Sequence, residues 1–262
     1  MKAGRIIRRS RKVLTVARVI AGEKGIPRSA WYVLGAGIEG CAWLIVDTGL
    51  VLYSTASRKP LVHVIGDSHS KTFRRKLPFV VHHIGAATAH NLKKKGNSTK
   101  SNEKLFDTLD RIRKKDVVVL LFGEIDCRIH AYYQFRKNDE RQTIGQILDM
   151  TISNYGEVIG QIRDLGMSPC ICSVAPATTV GNEYNFPFYA SPEVRCEITR
   201  AFNGKLEEFC RNNGYVYLDV YTKVCDENGV MLPEYLADDV HLNSHAVNII
   251  KTELSAKLGI RT

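Results

Sequence analysis

Beyond residue 60 the chain alternates short, continuous apolar runs with longer stretches of helical periodicity. The runs "LVHVIG" (61–66), "FVVHHIG" (79–85), "VVVLLFG" (117–123), "SPCICSVA" (168–175) and "YVYLDV" (215–220) read as strands, several of them apolar on both faces. Helical patterns fall at 69–76, about 86–94, about 102–113, 143–165, 192–213 and 244–258. Glycine turns in "DLGMSP" and "RNNGY" close two of these helices just before a strand. Strands that alternate with helices predict a parallel sheet covered on both sides, an α/β architecture. In such a sheet ligands gather at the carboxyl ends of the strands. Three polar clusters fall there: "GDSHS" after the first strand, "GEIDCR" after the third and "PATTVGN" after the fourth.

The first 59 residues follow another pattern. In "RIIRRSRKVLTVARVIAG" apolar side chains recur at roughly helical spacing among basic ones, the pattern of a basic amphipathic helix. Residues 30–56 are apolar but interrupted by Glu39 and Asp47, which disfavours a membrane span. The apolar run also begins too late for a secretory signal. The "GAGIEG" within it matches a dinucleotide-binding fingerprint, but Asp47 comes too early to hold a ribose, so a small-residue packing segment is the better reading. The division expected is a basic, partly apolar segment over 1–59 and a folded domain over 60–262.

Charge sharpens that division. Nine basic side chains within residues 1–28 face one acid, Glu23, a net +8 of the chain's formal +10. The rest is close to neutral. A local basic segment suits anionic lipid headgroups, hence peripheral membrane association through residues 1–56. Nucleic-acid binding is not expected, because few aromatic residues accompany the basic ones. The seven cysteines contain no CxxC pair, and Cys170 and Cys172 stand at strand spacing on one face. A reduced, cytoplasmic protein with buried thiols fits this usage.

The chemistry centres on "VIGDSHSKTF". Ser68 stands at a strand-to-helix turn, where a serine can cap the helix or serve as a nucleophile. A nucleophilic serine needs a base, and the base an orienting partner. Far downstream, "YLADDVHLNSHA" places Asp238 three residues before His241, with Asp239 beside it as a competing partner. Oxyanion donors are usually backbone N–H groups at glycine turns, and Gly85 and Gly123 stand at strand ends. A zinc site on His241 and His245 lacks a third ligand at a telling distance, so no metal or cofactor is expected.

The order Gly66-Asp67-Ser68, Gly85, Gly123-x-x-Asp126 and Asp238-x-x-His241 resembles the SGNH (GDSL-type) hydrolase superfamily over about residues 60–258. The resemblance implies a three-layer α/β/α, flavodoxin-like domain. It implies Ser68 as nucleophile, His241 as base, Asp238 as its partner, and the N–H groups of Ser68 and Gly85 as oxyanion donors. Asp67, His69, Gly123, Asp126 and Arg128 are candidates for substrate binding or support. Two departures stand out. The family's third motif is G-x-N-D, whose asparagine donates to the oxyanion; this chain has Ile125 there. Arg128 is a candidate substitute, or a structural partner of Glu124 or Asp126. The first motif ends in His69 where GDSL has leucine, and resembles SGNH domains attached to acyltransferases that modify bacterial polysaccharides.

The activity expected is that of a serine esterase removing O-acyl groups, especially O-acetyl, from carbohydrate through an acyl-enzyme. An O-acyltransferase in glycan assembly shares every residue named. A glycan-binding module with weak catalysis is the reading that Ile125 favours.

Overall fold

A computed structural model describes residues 60–260, apart from 75, 77 and 180–186. The amphipathic pattern at the N-terminus, the apolar stretch over 30–56 and the "GAGIEG" segment therefore lie outside the described residues.

Five strands form one parallel sheet: β1 (Val62–Gly66), β2 (Phe79–His83), β3 (Val117–Leu121), β4 (Pro169–Cys172) and β5 (Val216–Leu218), in the order β2-β1-β3-β4-β5. This is the flavodoxin-like order, with its switch point beside β1. Alternate strand residues feed two cores. Ile65, Val118, Leu120 and Ile171 point to one face; Val62, Val64, Val119, Cys170 and Cys172 point to the other. Strands buried on both faces need apolar side chains at every position, which is why these runs show no polar alternation.

The first face is covered by α1 (Ser101–Leu109), α3 (Ile144–Asp164) and α4 (Pro192–Asn213), through residues such as Leu105, Tyr155 and Phe202. Short α2 (Ala131–Lys137) precedes α3. The second face is covered by α6 (Ala246–Leu258), which buries Val247, Ile250 and Leu254, with Val224 from the short α5 (Tyr221–Val224). The three layers are those the sequence implies. The cysteines at 127, 170, 172, 196, 210 and 225 are all free, and burial raises the Cys170 thiol to about 12.

Helix ends follow local chemistry. Thr143 opens α3 with a capping box: its hydroxyl accepts the Gln146 N–H at 3.2 Å, and the Gln146 side chain accepts the Thr143 N–H at 2.8 Å. Replacing Thr143 by alanine is expected to cost about 1 kcal/mol, read as a lower urea midpoint with an unchanged m-value. Gly166 and Gly214 take positive φ just past α3 and α4, as the two glycine turns predict.

Three expectations are corrected. Residues 86–94 form turns rather than a helix. The Ala89 and His90 N–H groups are drawn to the Asp126 carboxylate at 2.6 and 3.1 Å, and the Asn91 N–H to Thr88 Oγ1, so helical acceptors lose their donors. The stretch after β3, where the pattern predicts no helix, coils into a π-helical turn (Asp126–His130) and then α2. Finally, α6 begins at Ala246 and Ser244 does not cap it; Asn243 Oδ1 accepts the His245 N–H at 2.9 Å. His82, at the end of β2, turns toward His63 and stacks on it at 5.2 Å, a structural contact.

Among the described residues no helix is long and apolar enough to cross a membrane.

Candidate active site

The register of the sheet brings the site together. Gly66 pairs with His83 on one side and Leu121 on the other, so the segments after β1, β2 and β3 leave the same edge side by side. The strands meet tightly there. A Cβ on Gly66 would stand 2.5 Å from the Leu121 carbonyl oxygen, so only glycine fits.

Asp67 then starts a 3-10 turn (Ser68–Phe73). Its carboxylate accepts the His69 N–H at 2.9 Å, and its carbonyl accepts the Ser70 N–H and hydroxyl. The cap is therefore Asp67, not Ser68. The serine, in the first position of the turn, keeps its hydroxyl for a tertiary partner. That partner is His241, whose Nε2 lies 2.9 Å from Ser68 Oγ across 173 residues of chain.

The imidazole is held from behind. His241 Nδ1 is 2.9 Å from each carboxylate oxygen of Asp238. Asp238 Oδ1 also accepts the N–H groups of Val240 and His241 at 3.0 and 2.9 Å. Slight burial pushes this carboxyl up, but those two N–H donors and the imidazole outweigh it and hold it at about 2. Asp239 is not the partner; its carbonyl accepts the Thr178 hydroxyl at 2.7 Å. Both ring nitrogens of His241 are engaged, so a zinc site shared with His245 has no donor atom here.

Several polar side chains clasp the loop that carries Asp238 and His241. Thr72 donates to the Leu242 carbonyl at 2.9 Å, Thr178 holds Asp239, and Asn243 Nδ2 donates to the Glu234 carbonyl at 2.7 Å. The sequence reading did not single out these three for this role, because their partners are backbone groups with no side-chain signature.

Gly85 follows β2 at φ +98°, in the left-handed region that favours glycine, next to β1, whose Gly66 carbonyl accepts the Ile84 N–H at 3.1 Å. The Lys104 ammonium lies 3.7 Å from where a Cβ on Gly85 would stand. Asp126 is fully buried and supports the loop after Gly85 through its two bonds to Ala89 and His90. Burial pushes its carboxyl up to about 7 against the pull of those donors. Gly123 is buried at φ +118°, where a Cβ would stand 2.7 Å from Phe202 and Val174; its packing accounts for the glycine. Arg128 donates to both carboxylate oxygens of Glu124, the structural pairing that the sequence allows.

Ile125 lines a cleft of about 560 Å³ with His90, Asn91, Lys94, His130 and Tyr133. Burial and the neighbouring His90 and Lys94 lower the His130 imidazole to about 4, so its ring is neutral near pH 7. On the inner side, Asp67, His69 and Glu124 put potential ligand atoms within 4.8 Å of one another, the cluster among the described residues best arranged for a metal. Glu124 is already paired with Arg128, and His69 Nε2 is bonded to the Val240 carbonyl at 3.0 Å. His69 is thus turned inward rather than toward the cleft.

A parallel α/β/α sheet with a serine, histidine and aspartate linked in sequence at its carboxyl edge has the organisation of an SGNH-type hydrolase. Residues 64–246 match the GDSL-like lipase/acylhydrolase family, and the chain belongs to it. No curated protein matches the sequence. Among solved structures, a GDSL-like lipase from Bacteroides thetaiotaomicron is similar at 17% identity and TM-score 0.50, covering 80% of this chain and 96% of its own. A Streptococcus pneumonia protein assigned as a platelet activating factor is similar at 16% identity and TM-score 0.52, covering 86% and 98%. A variant of Axe2, an acetyl xylan esterase from Geobacillus stearothermophilus, is similar at 14% identity and TM-score 0.47, covering 78% and 96%. The first two of these likenesses bear on the fold. The family match makes the protein an acylhydrolase-type enzyme.

Proposed function

We propose that the protein is a serine esterase that removes small O-acyl groups, O-acetyl above all, from carbohydrate through an acyl-enzyme. The observation that carries this is the 2.9 Å approach of His241 Nε2 to Ser68 Oγ, with Asp238 on the other ring nitrogen. In this reading His241 takes the hydroxyl proton as Ser68 attacks the ester carbonyl. The tetrahedral oxyanion is received by the N–H groups of Ser68 and Gly85. Collapse expels the alcohol, which takes the proton from His241, and leaves Ser68 acylated. Water, deprotonated by His241, then releases the acid. Asp238, held ionised, keeps the Nδ1 proton in place throughout.

The cleft beside Ile125 supports a hydroxyl-rich substrate. Amide, imidazole and ammonium groups from Asn91, His90, His130 and Lys94 can bond hydroxyls, and Tyr133 offers an aromatic face for a sugar ring. Residues 1–56 serve as a basic docking segment for an anionic membrane on the cytoplasmic side, and residues 60–262 carry the site. Buried, unpaired thiols and the charge of the first 28 residues support that placement.

The test is intact-mass spectrometry of the full chain mixed with p-nitrophenyl acetate, with and without sugar acceptors. Expected is a transient adduct of about 42 Da, one acetyl replacing a proton, that decays in water. An adduct that persists in water but discharges onto a sugar hydroxyl would make the protein a transferase. Absence of both adduct and turnover would favour a glycan-binding module.

A further inference from the structure

The residue after the serine, leucine in the motif that names the family, is His69 here. It is 4% exposed. Its Nε2 donates to the Val240 carbonyl at 3.0 Å, joining the serine turn to the loop that presents His241. Its Nδ1 lies 3.4 Å from Asp67 Oδ1, long for a hydrogen bond and close for an ion pair. Asp67 Oδ2 has no hydrogen-bond partner among the described residues, and Glu124 closes the cluster from the helical stretch after β3.

The groups facing the ring come from three elements: Asp67 on its own turn, Glu124 with Arg128 behind it, and Val240 with His241 on the loop. The His241 ring is 4.7 Å away, centroid to centroid.

We infer that His69 is a positioning residue, a buried strut that holds the Asp238–His241 loop at its working distance from Ser68. Leucine in this place could fill the space, but it could not hold the Val240 carbonyl by a directional bond. The inference rests on the reading of Ser68 and His241 given above. Burial lowers the affinity of the ring for its proton, but Asp67, then the charge of Glu124, and the Val240 carbonyl raise it to about 9. The Nε2 N–H is present in the charged ring and in the neutral Nε2 tautomer alike, so the bond to Val240 does not depend on a second proton.

The experiment compares wild type, His69→Leu, His69→Gln and Ser68→Ala on p-nitrophenyl acetate near pH 7, after subtraction of spontaneous hydrolysis. His69→Leu is expected to lower kcat about tenfold with little change in KM, since misplaced catalytic groups cost rate rather than binding. His69→Gln, whose amide can still donate to Val240, is expected to recover part of the loss. Wild-type kcat in His69→Leu would overturn the inference. So would wild-type activity lost to EDTA and restored by Zn²⁺, which would make Asp67, His69 and Glu124 a metal site. If His69→Leu does not fold, His69→Ala, which also cannot donate to Val240, decides: wild-type kcat in it overturns the strut. A wild-type rate in Ser68→Ala would instead overturn the underlying reading of the site.

Discussion

Ser68→Ala lowers kcat/KM for p-nitrophenyl acetate by about 10⁶ while the protein stays folded; this is the largest effect expected of any single change. The size follows from the linked arrangement, in which loss of the nucleophile disables base and carboxylate together. The protein stays folded because Ser68 makes no capping bond. Asp67 caps the turn, and among the described residues the serine hydroxyl bonds only to the His241 imidazole. The measurement pairs steady-state kinetics with a thermal melt of the same preparation. A variant that melts with wild type and retains a rate within tenfold of it would remove Ser68 from the chemistry. His241→Ala should fall by a similar factor if the pair works as a unit.

The second large effect runs the other way. Ile125→Asn is expected to raise kcat by about 10², because one oxyanion donor is worth roughly that factor and the family motif places an amide at this position. Ile125 is half-buried in the wall of the cleft, so trimming its apolar surface should cost about 1 kcal/mol at most. The readout is kcat with KM followed separately, since a donor that acts only on the developing oxyanion changes the first more than the second. An unchanged kcat would mean that another group already fills the role. Lys104, close to Gly85, is the first to examine, and Lys104→Met in the Ile125 background would then lose most of the remaining rate.

The five strands were legible because each is buried on both faces and so forms an unbroken apolar run. The two glycine C-caps were legible because positive φ leaves little choice of residue. Ser68, Asp238 and His241 could be picked out together because each sits in a short motif at a sheet edge. What the sequence hid was of another kind. Residues 86–94 carry helical periodicity, but a buried carboxylate far along the chain captures their N–H groups. The π-turn at Asp126–His130 has no periodicity of its own. Thr72 and Thr178 reach backbone carbonyls 170 and 61 residues distant, and such pairings leave no local trace. His69 could be read as facing the substrate until the loop that covers it was in place.

The separation of Ser68 from His241 by 173 residues also has a kinetic consequence. The serine lies just after β1 in a sheet whose strands pair in parallel, so each pairing closes a long crossover before it gains contacts. The histidine arrives on the last loop before α6, after every strand has been made. Recovery of esterase activity on dilution from urea should therefore lag recovery of far-ultraviolet ellipticity, reporting the final docking of the carboxyl-terminal segment onto a sheet already assembled.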